Sequence, residues 1–377
     1  MKIDGMGSLS DFVGDFIVYR NLRPADPRLP GLPQLHAALG LESLFAPRKH
    51  ESNYARVMVE ILKHARAQES PADIRRVLFL GDTRLLDSTA FANICEAGGW
   101  DGIAFIGAET SAPPQVSLEA LPGGRQLFLS NRWSDLDERF RQFLQDHNIP
   151  LDEHTALLID MDKTALGARG RNASVIDAAR VAAVEETVAN LLGEQFDPAA
   201  FRALYNEVIH PDFHDFTEDN QDNVAYLCLM VGSGLISRDA LVPMIFSGTL
   251  RTFQQFAEFV DSRQSKLPPA LRDIHNDVFE RIEAGDPTPF KRFRENEYRQ
   301  TIARLGCLPD DAPLARYLSE EILLTREVRD FAQTARQHGA LVFALSDKPD
   351  EASLPKPDLA AQGALPLHRQ RTHILGV

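Results

Sequence analysis

The stretch Ala156-Leu157-Leu158-Ile159-Asp160-Met161-Asp162-Lys163-Thr164 decides how this chain is read. Four apolar residues in a row, without polar alternation, describe a strand buried on both faces, as in a parallel sheet. The run ends in two carboxylates separated by one residue. In an open α/β sheet ligands gather at the carboxyl ends of the strands, so Asp160 and Asp162 both reach one site there. One carboxylate can act as a nucleophile and form an aspartyl-phosphate. The other can protonate a leaving oxygen and then take a proton from water. Taken alone, the pair also fits a strand-to-helix loop with aspartate caps.

Working outward, similar apolar runs occupy 77–80, 103–106, 127–129 and 341–345, and each ends in a small or acidic residue. Between them lie helical spacings. Residues 54–67 carry Val57, Met58, Ile61 and Leu62 on one face, and 323–339 closes on Gly339. This alternation predicts an α/β fold with a doubly wound, Rossmann-like parallel sheet. The stretch 170–313 differs. It has helical patterns such as 176–192 and 240–260, punctuated by Asp286-Pro287-Thr288-Pro289 and Pro309-Asp310-Asp311-Ala312-Pro313. The predicted organisation is a core built from 1–168 and 314–377, interrupted by a mainly α-helical insertion over 169–313. The Pro-rich segment 24–33 reads as an irregular connection.

Two further strand ends add chemistry. Gly81-Asp82-Thr83-Arg84-Leu85-Leu86-Asp87 follows the run 77–80. Gly81 allows a tight turn and close approach of a ligand. Asp82 and Asp87 supply hard oxygens of the kind Mg²⁺ prefers. Together with Asp160 they form a carboxylate cluster that repels itself unless a cation sits within it. Ser346, after the run 341–345, places a hydroxyl where it can donate to a phosphoryl oxygen.

These residues resemble the motifs of the haloacid dehalogenase superfamily of aspartate-nucleophile phosphatases. Asp160, Asp162 and Thr164 match its DxDxT motif. Ser346 matches its strand-ending Ser or Thr, and Gly81, Asp82 and Asp87 match GDxxxxD. The order is that of a circular permutation. In the family a lysine opens the helix ahead of the GDxxxxD strand, and here Lys49, in Arg48-Lys49-His50-Glu51, holds that place. Lys348, in Ser346-Asp347-Lys348-Pro349, is a rival for the same role. Lys163 departs from the family pattern, because a small or neutral residue is usual there. The insertion corresponds in position to a cap domain.

The resemblance implies a Mg²⁺-dependent phosphatase acting on a small phosphorylated metabolite. Asp160 would be the nucleophile and Asp162 the acid and base. Lys49 and Ser346 would hold the equatorial oxygens, and Thr164 would orient the loop. Asp160, Asp162 (through its main-chain carbonyl) and Asp82 would surround the metal, and Asp87 would bind it through water or orient the lysine. Arg169 and Arg171, just past the first motif, could reach substrate anions, against the alternative of a solvated loop. A second possibility is a related protein that binds phosphate or a partner without turnover. Dehalogenation needs neither Asp162 nor a metal cluster.

Composition bounds these ideas. The chain has 377 residues, 44% of them hydrophobic, and a net charge of −14. So acidic a surface argues against nucleic acid as a partner. No apolar run approaches a membrane span, no signal-peptide pattern opens the sequence, and three scattered cysteines suggest no disulfide framework. A cytoplasmic location is expected. His210-Pro211-Asp212-Phe213-His214 lacks a third distant ligand for a metal. Gly232-Ser233-Gly234 lacks the strand context of a nucleophile elbow, and there is no P-loop.

Overall fold

The structure, a computed structural model, describes residues 1–377. Ten strands occur in chain order: β1 (Lys2–Gly7), β2 (Ile17–Val18), β3 (Arg76–Gly81), β4 (Asp101–Gly107), β5 (Val116–Ala120), β6 (Gln126–Ser130), β7 (Thr155–Asp160), β8 (Leu324–Thr325), β9 (Leu341–Leu345) and β10 (Thr372–Gly376). Seven form one sheet in the order β2-β9-β7-β3-β4-β6-β5, parallel throughout except for the edge pair β5 and β6. The five apolar runs become β3, β4, β6, β7 and β9. The three-stranded sheet β1-β10-β8 is separate from it.

Burial explains why continuous apolar runs became the central strands. Val77 to Leu80, Ala156 to Ile159 and Leu341 to Leu345 are all buried, so both faces of the sheet are covered. Helix Ser52–Glu69 covers one face with Val57, Met58, Ile61 and Leu62, which share a core with Val77, Phe79, Leu158 and Phe343. Helix Arg326–Gln337 buries Val328, Phe331, Ala332 and Ala335. It is shorter than the span 323–339, because Leu324 and Thr325 pair with β10 instead.

Strand order locates the crevice. From β3 the chain steps to β4 and β6 on one side. It then returns to place β7 on the other side of β3, with β9 beyond. The carboxyl ends of β3 and β7 therefore flank the point where the winding reverses, and that is where open α/β sheets bind ligands.

The chain divides into two compact units, 1–178 with 301–377, and 179–300. Residues 169–178 and 301–313, assigned above to the insertion, thus belong to the α/β unit. Buried bonds tie them there. Asn172 Nδ2 donates to the Leu318 carbonyl (2.9 Å), and Leu308 N–H donates to Glu321 (2.9 Å). The second unit is wholly helical between residues 179 and 300 and has its own aromatic core around Tyr226, Phe253, Phe256 and Phe290. The single helix anticipated over 240–260 is two, Arg238–Phe246 and Phe253–Asp261. Gly248 (φ 74°) ends the first, and Thr252 caps the second through the Gln255 N–H (3.2 Å). No helix is long and apolar enough to cross a membrane.

Candidate active site

The carboxyl end of β7 carries Asp160 as its last residue, and the neighbouring β3 ends at Gly81, just before Asp82. The turn after β3 folds back so that Asp87, in the first turn of helix Leu86–Gly98, returns to the strand end. Its Oδ2 accepts from the N–H groups of Asp82 and Thr83 (both 2.9 Å) and from Thr83 Oγ1 (2.8 Å). Gly81 is required here, since a Cβ on it would lie 2.7 Å from Asp87 Oδ2. The result is a buried cluster in which ligand oxygens of Asp82, Asp87 and Asp160 all lie within 4.8 Å of one another.

Lys49 lies in the turn before helix Ser52–Glu69. Glu51 N–H donates to the Arg48 carbonyl (2.8 Å), and Asn93 Nδ2 donates to the His50 carbonyl (2.8 Å), which shapes that turn. The Lys49 ammonium is only 4% exposed and donates to Asp87 Oδ1 and Asp160 Oδ1, both at 2.6 Å. Burial alone would lower its pKa. The adjacent charges of Asp160 and Asp87 outweigh that and hold it well above the ordinary lysine value. Asp87 sits below the usual carboxylate range: burial acts to raise it, but Lys49 and the Thr83 hydrogen bonds prevail.

The other two carboxyls go the opposite way. Burial, reinforced by the charge of Asp87, pushes Asp82 up to about 6 despite Arg169. Burial likewise raises Asp160 well above the carboxylate range, with Asp87 and Asp82 adding to it against Lys49. Asp160 Oδ2 makes no hydrogen bond. Three buried carboxylates thus face two cations, Lys49 and Arg169. Hard, anionic oxygens in excess of the local positive charge are the donor set that a small divalent cation takes. On these grounds the residues present fit Mg²⁺.

Ser346 follows β9, whose Leu345 pairs with Asp160. It is buried, and its Oγ accepts from the Lys348 N–H (3.0 Å), leaving the hydroxyl proton to donate elsewhere. Lys348 Nζ lies 3.8 Å from Asp162 Oδ2, and Asp162 is the most exposed of these acids at 25%. Thr164 is fully buried. Its carbonyl accepts from Thr325 Oγ1 (2.6 Å), while its own hydroxyl has no partner. Lys163 stands in a left-handed conformation (φ 66°) and pairs with Asp177 (2.7 Å) rather than with the cluster. A residue able to adopt positive φ is needed there, which is a backbone reason why a small residue would suit that position.

The two arginines separate. Arg169 Nε donates to Asp82 Oδ2. The side chain of Arg171, anticipated as a substrate contact, is instead fully buried. Its Nε bonds Glu109 (2.9 Å), and its two terminal nitrogens bond both oxygens of Glu327 (2.9 and 3.1 Å). It clasps the loop 166–172 to the α/β unit. Glu109 and Glu327 had no signal in the sequence, because Glu327 lies 156 residues from its partner.

Compared with protein-family models, with curated proteins and with solved structures, the chain matches none.

Proposed function

We propose that the protein is a Mg²⁺-dependent phosphoryl-transfer hydrolase that acts on a small phosphate ester through an aspartyl-phosphate. One observation carries this reading. Lys49, Asp82, Asp87 and Asp160, distant in sequence, share a single buried cluster at the reversal point of a parallel sheet.

In this mechanism Asp160 Oδ2, free of hydrogen bonds, attacks phosphorus and forms the O–P bond as the ester P–O bond breaks. Lys49 fixes Asp160 through its other oxygen. Asp162 gives its proton to the departing oxygen, then takes one from the water that attacks the acyl phosphate, releasing phosphate and restoring Asp160. Ser346 donates its hydroxyl proton to a phosphoryl oxygen. Asp160, Asp82 and the main-chain carbonyl of Asp162 would hold the Mg²⁺, which supplies charge neutralisation for the transferring group. Asp87 serves as the anchor of Lys49, with both its oxygens already engaged. The reading places the chain beside the haloacid dehalogenase superfamily in permuted order. The helical unit 179–300 then stands in the sequence position of a cap.

A second reading, a phosphate- or partner-binding protein without turnover, draws on the ion pair of Arg169 with Asp82, which neutralises part of the cluster from within. The two separate on Mg²⁺-dependent phosphate release from p-nitrophenyl phosphate. The hydrolase reading expects release that stops with EDTA and falls more than about 10³-fold in Asp160→Asn. Release that survives Asp160→Asn, or none across a broad ester panel, overturns it.

A further inference from the structure

Resting on the hydrolase reading, we infer that Arg169 selects the substrate: the ester carries a second oxyanion, a carboxylate or a second phosphate, which the terminal nitrogens of Arg169 receive.

Three observations converge on this residue. Its backbone is pinned. The Arg169 N–H donates to the Lys163 carbonyl (2.7 Å), and its own carbonyl accepts from the Glu109 N–H (2.9 Å) and from Trp133 Nε1 (3.1 Å). The following Gly170 (φ 79°) packs so closely that a Cβ would meet the Glu109 carbonyl at 1.8 Å. The side chain is pinned too, by Nε on Asp82, while Nη1 and Nη2 make no hydrogen bond. A guanidinium held by one edge presents its other donors in a fixed orientation, suited to the two oxygens of a carboxylate or phosphate.

Depth separates this donor pair from the transferring group. The side chains of Lys49, Asp87, Asp160 and Asp82 are less than a tenth exposed, whereas that of Arg169 is 40% exposed. Its free nitrogens therefore belong to the solvent side of the cluster, where the remainder of an ester would lie. A chain of net charge −14 gains selectivity for an additional anion only from a local cation. The immediate carboxylate, Asp82, occupies only the Nε edge.

The test is equilibrium binding with Mg²⁺ present, using three matched esters: propyl phosphate, 3-(phosphonooxy)propanoate and propane-1,3-diyl bisphosphate. Calorimetry on the full-length Asp160→Asn protein avoids turnover. The expected result is at least about tenfold tighter binding of one or both doubly anionic esters than of propyl phosphate. The preference should vanish on adding Arg169→Gln and survive in part with Arg169→Lys. Whichever doubly anionic ester binds more tightly identifies the second group. No preference in the parent protein overturns the inference. So does a preference that persists in Arg169→Gln, or an equal loss for all three esters, which would place Arg169 on the shared phosphate. Should Arg169→Gln fail to fold, Arg169→Lys decides: an undiminished preference overturns the inference and a reduced one upholds it. A binding preference in a protein that hydrolyses none of the three esters would sink the hydrolase reading alone.

Discussion

Two buried charge clusters, one in each unit, have opposite characters. In the helical unit Asp222 is fully buried, and both its oxygens are taken. Oδ1 accepts from the Phe290 N–H (3.1 Å) and Oδ2 from Arg294 (2.5 and 2.8 Å). Arg294 also pairs with Glu297 (2.7 Å), and Glu297 with Arg180 (3.2 Å). Among these groups two acids meet two arginines. In the α/β unit three carboxylates meet two cations, and one oxygen of Asp160 is left without a hydrogen bond. The first arrangement closes on itself and holds helices together. The second leaves carboxylates in mutual repulsion. Buried ionic groups alone do not mark a site; the imbalance does.

The comparison can be broken from the balanced side first. Asp222→Ala strands Arg294 without its main partner in a buried setting and is expected to cost about 3–5 kcal/mol. Urea denaturation of the full chain, followed by circular dichroism, measures it. A loss under about 1 kcal/mol would mean that the helical cluster is not a structural lock.

The same change of charge should act with the opposite sign in the other cluster. In Mg²⁺-free buffer Asp160→Asn removes one of three mutually repelling carboxylates and is expected to stabilise the protein by about 1–2 kcal/mol, whereas with Mg²⁺ present the same variant is expected to lose turnover. Destabilisation in the same urea experiment would show that Asp160 is held for structure.

Acid sharpens the contrast further. His275 is fully buried in the helical unit, with Nδ1 beside Tyr226 Oη (2.6 Å) and Nε2 beside Asp261 (3.3 Å). Burial lowers its pKa, with Asp261 opposing. The folded state therefore binds its proton less readily than the unfolded chain does. Its contribution is complete above the ordinary histidine value of about 6.5 and is lost as pH falls below that. Melting curves between pH 7.5 and pH 5, wild type against His275→Gln, should show a steeper acid loss in the wild type; parallel curves would remove His275 from the account.

The smallest effect is expected at Lys163. Replacing it by Gly relieves the left-handed strain but frees the unfolded chain and gives up the Asp177 pair. The net gain should be no more than about 1 kcal/mol, read as a shift in urea midpoint. A clear loss would show that the Asp177 pair outweighs the strain.

How far the sequence reaches follows the same line. Central strands were legible because burial on both faces demands unbroken apolar runs, as at 156–159 and 341–345. Strands β1, β2, β5, β8 and β10 were not. β2 and β8 have two residues each, and β5 is a largely exposed edge strand whose pattern is not apolar. Gly248 broke an amphipathic pattern that periodicity alone read as continuous.

By itself, then, the sequence determined which strand ends carry acids, a hydroxyl and a lysine, because local hydrophobic runs and the residues that stop them are adjacent along the chain. Only the tertiary structure decided who pairs with whom. It put Lys49 between Asp87 and Asp160, turned Lys163 away to Asp177, and sent Arg171 to Glu109 and Glu327 while leaving Arg169 on Asp82. The physical reason is that ion pairing depends on distance and burial in three dimensions, and two arginines separated by one glycine look alike until the fold buries one and exposes the other.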